Sequence, residues 1–124
     1  MSNALVYTIH CNEGSLSLNY SFEQLKLSIS TLRKYNKSLK VIVYISPFKI
    51  LGRHRYLVNN TNIKFVEFNA DYDKRLNHSV YAIWTSHKWK NAFHALRSNS
   101  LDNVLYVDTD TIFQKDPEYM FAEY

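Results

Sequence analysis

The 124-residue sequence is poor in the residues that cross-link, break or loosen a chain. There is one cysteine, Cys11, so no internal disulfide can form and a cysteine-rich metal site is excluded. That fits a reducing compartment, and the expected location is cytoplasmic. Two glycines and two prolines exclude a linker or low-complexity chain. The longest apolar runs are strand length, so no membrane span is expected. Met1-Ser2-Asn3-Ala4 is small and polar, with no basic stretch and apolar run behind it, so no signal peptide is expected. Charge of one sign is also scarce. The net charge of +4 suits an anionic ligand such as a nucleoside diphosphate. It is too small and too scattered for nucleic acid, and no RNP, zinc-knuckle or basic-helix pattern is present.

What the sequence does have is core. Hydrophobic residues make up 46% of it and aromatics 15%, enough for one buried centre and one domain over residues 1–124. Leu5 to His10 is β-branched and aromatic and reads as a first strand. Cys11 to Tyr20 is polar and reads as a loop. Ser21 with Gln24 has the form of a capping box. Phe22, Leu25, Ile29 and Leu32 then recur at helical spacing, and Asn36 suits a left-handed stop. Leu39 to Ser46 is a second strand, stopped by Pro47. Phe48 to Asn60 is a weak helix, and Ile63 to Phe68 a third strand. Asn69 to His78 reads as a loop. A long helix follows from about Ser79 to Ser98, with Ala82, Trp89, Ala92, Phe93 and Leu96 as its buried stripe.

Strands separated by helical patterns mean crossover connections and a parallel sheet. The expected fold is α/β, three layers (α/β/α) around a mainly parallel sheet, without internal repeats. Asp116-Pro117-Glu118 reads as an N-cap, a first-position proline and a first-turn acid of one more short helix.

The chemistry concentrates at residues 104–113. Val104, Leu105, Tyr106 and Val107 read as a strand buried on both faces. Two carboxylates separated by one residue follow. Side chains alternate along a strand, so Asp108 and Asp110 are expected on one side. Two like charges held close repel and favour a cation. Hard oxygen ligands suit Mg²⁺ or Mn²⁺ better than zinc, and such a metal would hold a diphosphate. In open α/β sheets ligands bind beyond the carboxyl ends of the strands, where this pair lies. The plainer alternative is a pair of loop-entry aspartates that bond local backbone groups.

The segment Val-Leu-Tyr-Val-Asp-Thr-Asp-Thr-Ile at 104–112 resembles the Asp-x-Asp segment of GT-A-fold glycosyltransferases, nearest the glycogenin and lipopolysaccharide galactosyltransferase type. The upstream order of elements and the Asp116-Pro117 tail fit as well. As topology the resemblance covers most of the chain; as a specific motif it covers about ten residues. It implies a Rossmann-like half-domain that binds a nucleotide-diphosphate sugar, UDP- or GDP-linked, and transfers the sugar to an unknown acceptor. It implies that Asp108 and Asp110 bind Mn²⁺ or Mg²⁺, with Asp110 the principal ligand and Asp108 also near the ribose. Thr8 and His10 would line base and ribose. Lys88, with Lys90 a weaker second, would approach the phosphates or the sugar. Family members are longer, and their second half supplies acceptor contacts and often a histidine ligand. A half-domain leaves a sheet edge uncovered, so self-association to a homo-oligomer is expected.

Two other readings stay open. One is a nucleotide-binding or interaction module without catalysis. The other is a phosphatase of the haloacid-dehalogenase type, which Asp108-Thr109-Asp110-Thr111 also resembles, with Asp108 as nucleophile. The remaining candidates have plain readings. His54, His78, His87 and His94 are scattered, and His87 and His94 read as an exposed helical row. Trp84 and Trp89 read as packing anchors. Arg53-His54-Arg55 reads as a solvated face, and Cys11, with no partner base in the sequence, as structural.

Overall fold

Strand β1 occupies Asn3–His10, and the whole sheet is built outward from it. The structure is a computed structural model that describes residues 2–10, 16–46, 62–68 and 80–123. The other elements are helix α1 (Leu16–Tyr35), β2 (Lys40–Ser46), β3 (Ile63–Glu67), α2 (Val80–Ser98), β4 (Asn103–Tyr106) and the short α3 (Tyr119–Glu123). The expected helix at 48–60 and the loops at 11–15 and 69–78 lie outside the described residues.

All strand pairs are parallel, in the order β3-β2-β1-β4. Ala4 lies opposite Lys40 on one side and Val104 on the other. The chain therefore builds outward from β1 to β3, then returns to the far side of β1. A right-handed crossover covers one face when the chain moves one way and the other face when it reverses. The helices obey this. Leu5, Tyr7 and Ile9 pack with Val41, Val43 and Ile45 under Phe22, Leu25, Ile29 and Leu32 of α1. Ala4 and Val6 pack with Ile42 and Tyr44 under Ala95 of α2. This is the expected α/β three-layer fold.

Helix α1 buries the predicted stripe, but its beginning differs. Ser21 and Gln24 lie inside the helix, five residues or more past Leu16. The Gln24 Oε1 accepts a hydrogen bond from Thr109 Oγ1 at 3.0 Å. The C-terminal end differs in mechanism. Asn36 is not left-handed; the non-glycine residues with positive φ among those described are Asn62 and Ser100. Instead the Asn36 side chain folds back as a turn. Its Oδ1 accepts from the backbone N–H of Leu39 (2.8 Å) and Ser38 (3.1 Å), and its Nδ2 donates to Asp116 Oδ1 (3.1 Å). Asp116 in turn accepts from the Glu118 N–H at 3.0 Å, the bond expected of an N-cap. Asn36→Ala removes these bonds, together with the 3.4 Å bond from Ser38 Oγ, and leaves the buried Leu39 N–H unpaired. It is expected to cost about 1–3 kcal/mol in urea denaturation. A loss near zero would show that the turn does not stabilise the α1–β2 connection.

Helix α2 ends in a left-handed Ser100 (φ 51°). Leu101 N bonds Leu96 O at 3.1 Å and Ser100 N bonds Arg97 O at 3.5 Å, the paired closure of a Schellman motif. Its buried stripe is not the predicted one. Trp89 is 76% exposed and Phe93 59%, while His87, Asn91 and Ala95 face the sheet. Ala92 and Leu96 are half-buried at the flanks, and the Ala82 side chain lies outside those described. The large aromatics misplace the stripe because size was read as burial; the inner face is close to β1, and smaller residues fit there.

Strand β4 also departs from expectation. It is half-buried along its length rather than buried on both faces, because it is the edge of the described sheet. No helix among the described residues is long and apolar enough to cross a membrane.

Candidate functional site

The strand order reverses between β1 and β4, which makes their carboxyl ends the crevice where such sheets hold ligands. The Asp108–Asp110 segment leaves the sheet at that point. Val107 N still bonds Val6 O at 3.0 Å, and then the ladder stops. Thr111 N bonds Asp108 O at 3.1 Å, closing a turn. The two carboxylates therefore share one turn rather than one face of a strand. The alternation argument fails at this position, since β4 ends at Tyr106. What presents the carboxylates is the residue between them. Thr109 is tied to Gln24 of α1, and Asp108 and Asp110 on either side are exposed.

Below the turn lies a buried polar network. Thr8 is 5% exposed, and its Oγ1 accepts from Asn91 Nδ2 of α2 at 3.1 Å. The Tyr106 hydroxyl also bonds Thr8. Tyr106 pairs in register with Val6, so Thr8 is the next residue of β1 on the same face. Burial pushes the Tyr106 hydroxyl up to about 12; the Thr8 bond opposes this and the Asp108 charge adds to it. The phenol is thus neutral at ordinary pH and serves as a hydrogen-bonding strut between strands.

Above this network Lys88 comes over from α2. Its Nζ sits 5.9 Å from the Tyr106 ring centroid and 2.8 Å from Asp108 Oδ1. The Lys88 side chain is 26% exposed and the Asp108 side chain 58%, so the pair is at the surface and accessible to a ligand. Beside it opens a cleft of about 290 Å³ lined by Lys88, Trp89, Ala92, Tyr106 and Asp108. This is the lower end of small-molecule site volumes.

Of the residues singled out by sequence, Lys88 and Asp108 are brought into direct contact, and Asp110 is on the same turn. Thr8 lies beneath them in the network rather than on the surface. His10 ends β1, and its side chain is outside those described. Lys90 is exposed. His87 and His94 do not form an exposed row. His87 is 7% exposed, with its ring 5.6 Å from that of Phe68. His94 Nδ1 is 2.6 Å from the Tyr44 hydroxyl, and its Nε2 is 3.2 Å from Ser98 Oγ. His54, His78, Arg53, Arg55 and Cys11 lie outside the described residues, as does the Trp84 side chain. Sequence reasoning missed Asn91, Tyr106 and Gln24 as parts of the site. The signal for Asn91 was its spacing of four from both His87 and Ala95, a polar residue within an inward stripe.

Among the described residues, no group of three or more His, Cys, Asp or Glu side chains is gathered to hold a metal ion. The donor set is two hard carboxylates on one turn. That suits Mg²⁺, which commonly takes one or two carboxylates and completes its shell with substrate phosphates and water.

The parallel sheet with helices on both faces is similar in fold to S. aureus TarS, residues 1–349, with a TM-score of 0.57 and 14% sequence identity. The match covers 99% of this chain and 32% of the TarS chain, so the present chain spans about a third of that protein's solved length. At this identity the likeness is one of fold. No family model matches the sequence, and no curated protein matches it.

Proposed function

We propose that this chain binds the diphosphate of a nucleotide-diphosphate sugar at the β1–β4 crevice, as the donor-binding part of a metal-dependent glycosyltransferase. The observation that carries the reading is the carboxylate turn at the sheet's reversal point with the Lys88 ammonium 2.8 Å from Asp108. A cationic and an anionic group meet, with a second carboxylate on the same turn, where a phosphate chain and its counter-ion need opposite charges side by side. Asp108 and Asp110 would hold Mn²⁺ or Mg²⁺, and Lys88 would contact a phosphate oxygen. A divalent cation there supplies Lewis-acid stabilisation of the departing nucleoside diphosphate.

The chain's own residues do the rest. The Thr8–Asn91–Tyr106 network fixes β4 against β1 and α2, so the turn and Lys88 keep their spacing. Thr109, held by Gln24, turns both carboxylates outward. His10, at the end of β1, would border the base and ribose. Transfer breaks the bond between the sugar's anomeric carbon and a phosphate oxygen and forms one to an acceptor oxygen; the acceptor is unidentified. A second reading, nucleotide capture without transfer, draws on the same geometry, because a divalent cation on the two carboxylates and one ammonium would suffice to bind a diphosphate.

The test is calorimetric titration of UDP and GDP, with and without Mn²⁺, into wild type and Asp110→Asn. Loss of an outer-shell partner alone costs about 10–100-fold in metal affinity, so loss of a ligand is expected to weaken metal-dependent nucleotide binding at least that much. Wild type that binds neither nucleotide under any metal condition would sink the proposal. A beryllofluoride adduct on Asp108 would point to the phosphatase alternative instead.

A further inference from the structure

We propose that Lys88 is an exchangeable counter-ion: its ammonium pairs with Asp108, a divalent cation displaces it, and the released ammonium moves to the diphosphate. The inference rests on the reading of this crevice as a metal and diphosphate site, and it adds how the two ligands are coupled.

The starting observation is competition for one atom. Lys88 Nζ lies 2.8 Å from Asp108 Oδ1, so a cation bound by that oxygen displaces the ammonium. The pair is open to an incoming cation. Asp108 is more than half exposed, and lysine is a point charge on a flexible four-carbon stem. The stem is anchored at its base on α2, whose inner face is fixed by Asn91. The Tyr106 ring, 5.9 Å from the ammonium, gives the charge a neighbouring surface to move across without leaving the cleft. Displacement therefore shifts the ammonium within the same cleft, where an incoming phosphate arrives.

The thermodynamic consequence is a coupling with a definite sign. Paired with Asp108, Lys88 opposes the metal by holding its ligand. Once the metal is bound, the displaced ammonium favours the diphosphate. Binding free energies couple reciprocally, so the diphosphate also draws in the metal. An exposed pair of this kind shifts an equilibrium by about 1.4- to 5-fold. Replacing Lys88 should thus move the two affinities in opposite directions. A lysine that only contacts phosphate would leave metal binding unchanged, and a lysine that only supports the fold would weaken both.

The experiment uses the whole chain, wild type, Lys88→Met and Lys88→Arg. Mn²⁺ alone is titrated by electron paramagnetic resonance, then UDP by calorimetry at saturating Mn²⁺, with circular dichroism as the check on folding. Lys88→Met is expected to tighten Mn²⁺ alone by up to about five-fold and to weaken UDP in the presence of Mn²⁺. Lys88→Arg keeps the charge and is expected to bind Mn²⁺ as wild type does. If wild type binds UDP with Mn²⁺ but Lys88→Met does not tighten Mn²⁺, the exchange is overturned and the donor site stands. If wild type binds neither probe, both fall.

Discussion

Phe22→Ala is expected to remove about 3–5 kcal/mol of stability, enough to leave a small domain partly unfolded at room temperature. Phe22 is fully buried, and it is one of four α1 side chains set against the odd-numbered residues of β1. Truncation leaves a cavity between helix and sheet that two β-strands, fixed by parallel ladders on both sides, cannot close. The measurement is urea denaturation by circular dichroism, read as a lower midpoint at unchanged slope. A loss below about 1 kcal/mol would mean that α1 does not pack on this face of the sheet, and the layer order would have to be redrawn.

The second large effect is alkaline unfolding. Tyr7, Tyr44 and Tyr106 each have their hydroxyl pushed up to about 12, in each case chiefly by burial. For Tyr7 the bond to Ser28 and the charge of Arg33 oppose the burial without cancelling it. An unfolded tyrosine ionises near 10. Below that pH both states hold the proton, and the stabilisation is fully present. Between about 10 and 12 the unfolded chain loses protons that the folded one keeps, so stability falls as pH rises, by about 1.4 kcal/mol per unit for each group. Three such groups over about two units amount to at most on the order of 8 kcal/mol, comparable with the whole stability of a small domain.

The expected result is cooperative unfolding inside that window. Part of the absorbance change of the ten tyrosines should then coincide with the loss of circular dichroism. Ionisation of all ten near pH 10 with structure intact would show that these three phenols are not buried as described. Tyr7→Phe should flatten the pH dependence, at the expense of the 2.6 Å bond to Ser28.

The fold was legible where hydrophobic period and strand composition agree. The apolar runs of β1 and β2 and the Phe22–Leu32 stripe of α1 all lie where spacing put them. Errors arose where a local rule met a tertiary partner. Ser21 and Gln24 have the right spacing for a cap, but Gln24 is taken by Thr109, 85 residues away, and no local pattern carries that. Trp89 and Phe93 were read as core from their size, yet the inner face of α2 takes His87, Asn91 and Ala95. At the site, the Asp108–Asp110 pair was legible as a motif and its position as topology. Its geometry was not, because the strand ends two residues earlier and a turn does the presenting. Lys88 was picked out by resemblance, but its direct bond to Asp108 depends on how α2 lies across β4, which only packing decides.

The placement of β1 has a consequence for how the molecule comes into being. It is one of the two inner strands of the described sheet, yet it precedes the other three described strands in the sequence. Its residue Ala4 meets Lys40 early and Val104 only when most of the chain has been made. The bond from Ser2 N to the Asp102 carboxylate spans 100 residues. At about 5–20 residues per second, β1 waits several seconds on the ribosome with one edge open. Pairings so distant in sequence also form slowly, since the loop must close before any contact rewards it. The crevice between β1 and β4 therefore forms after the other described strands have been made, and a ligand that fits it can bind only once β4 has joined β1.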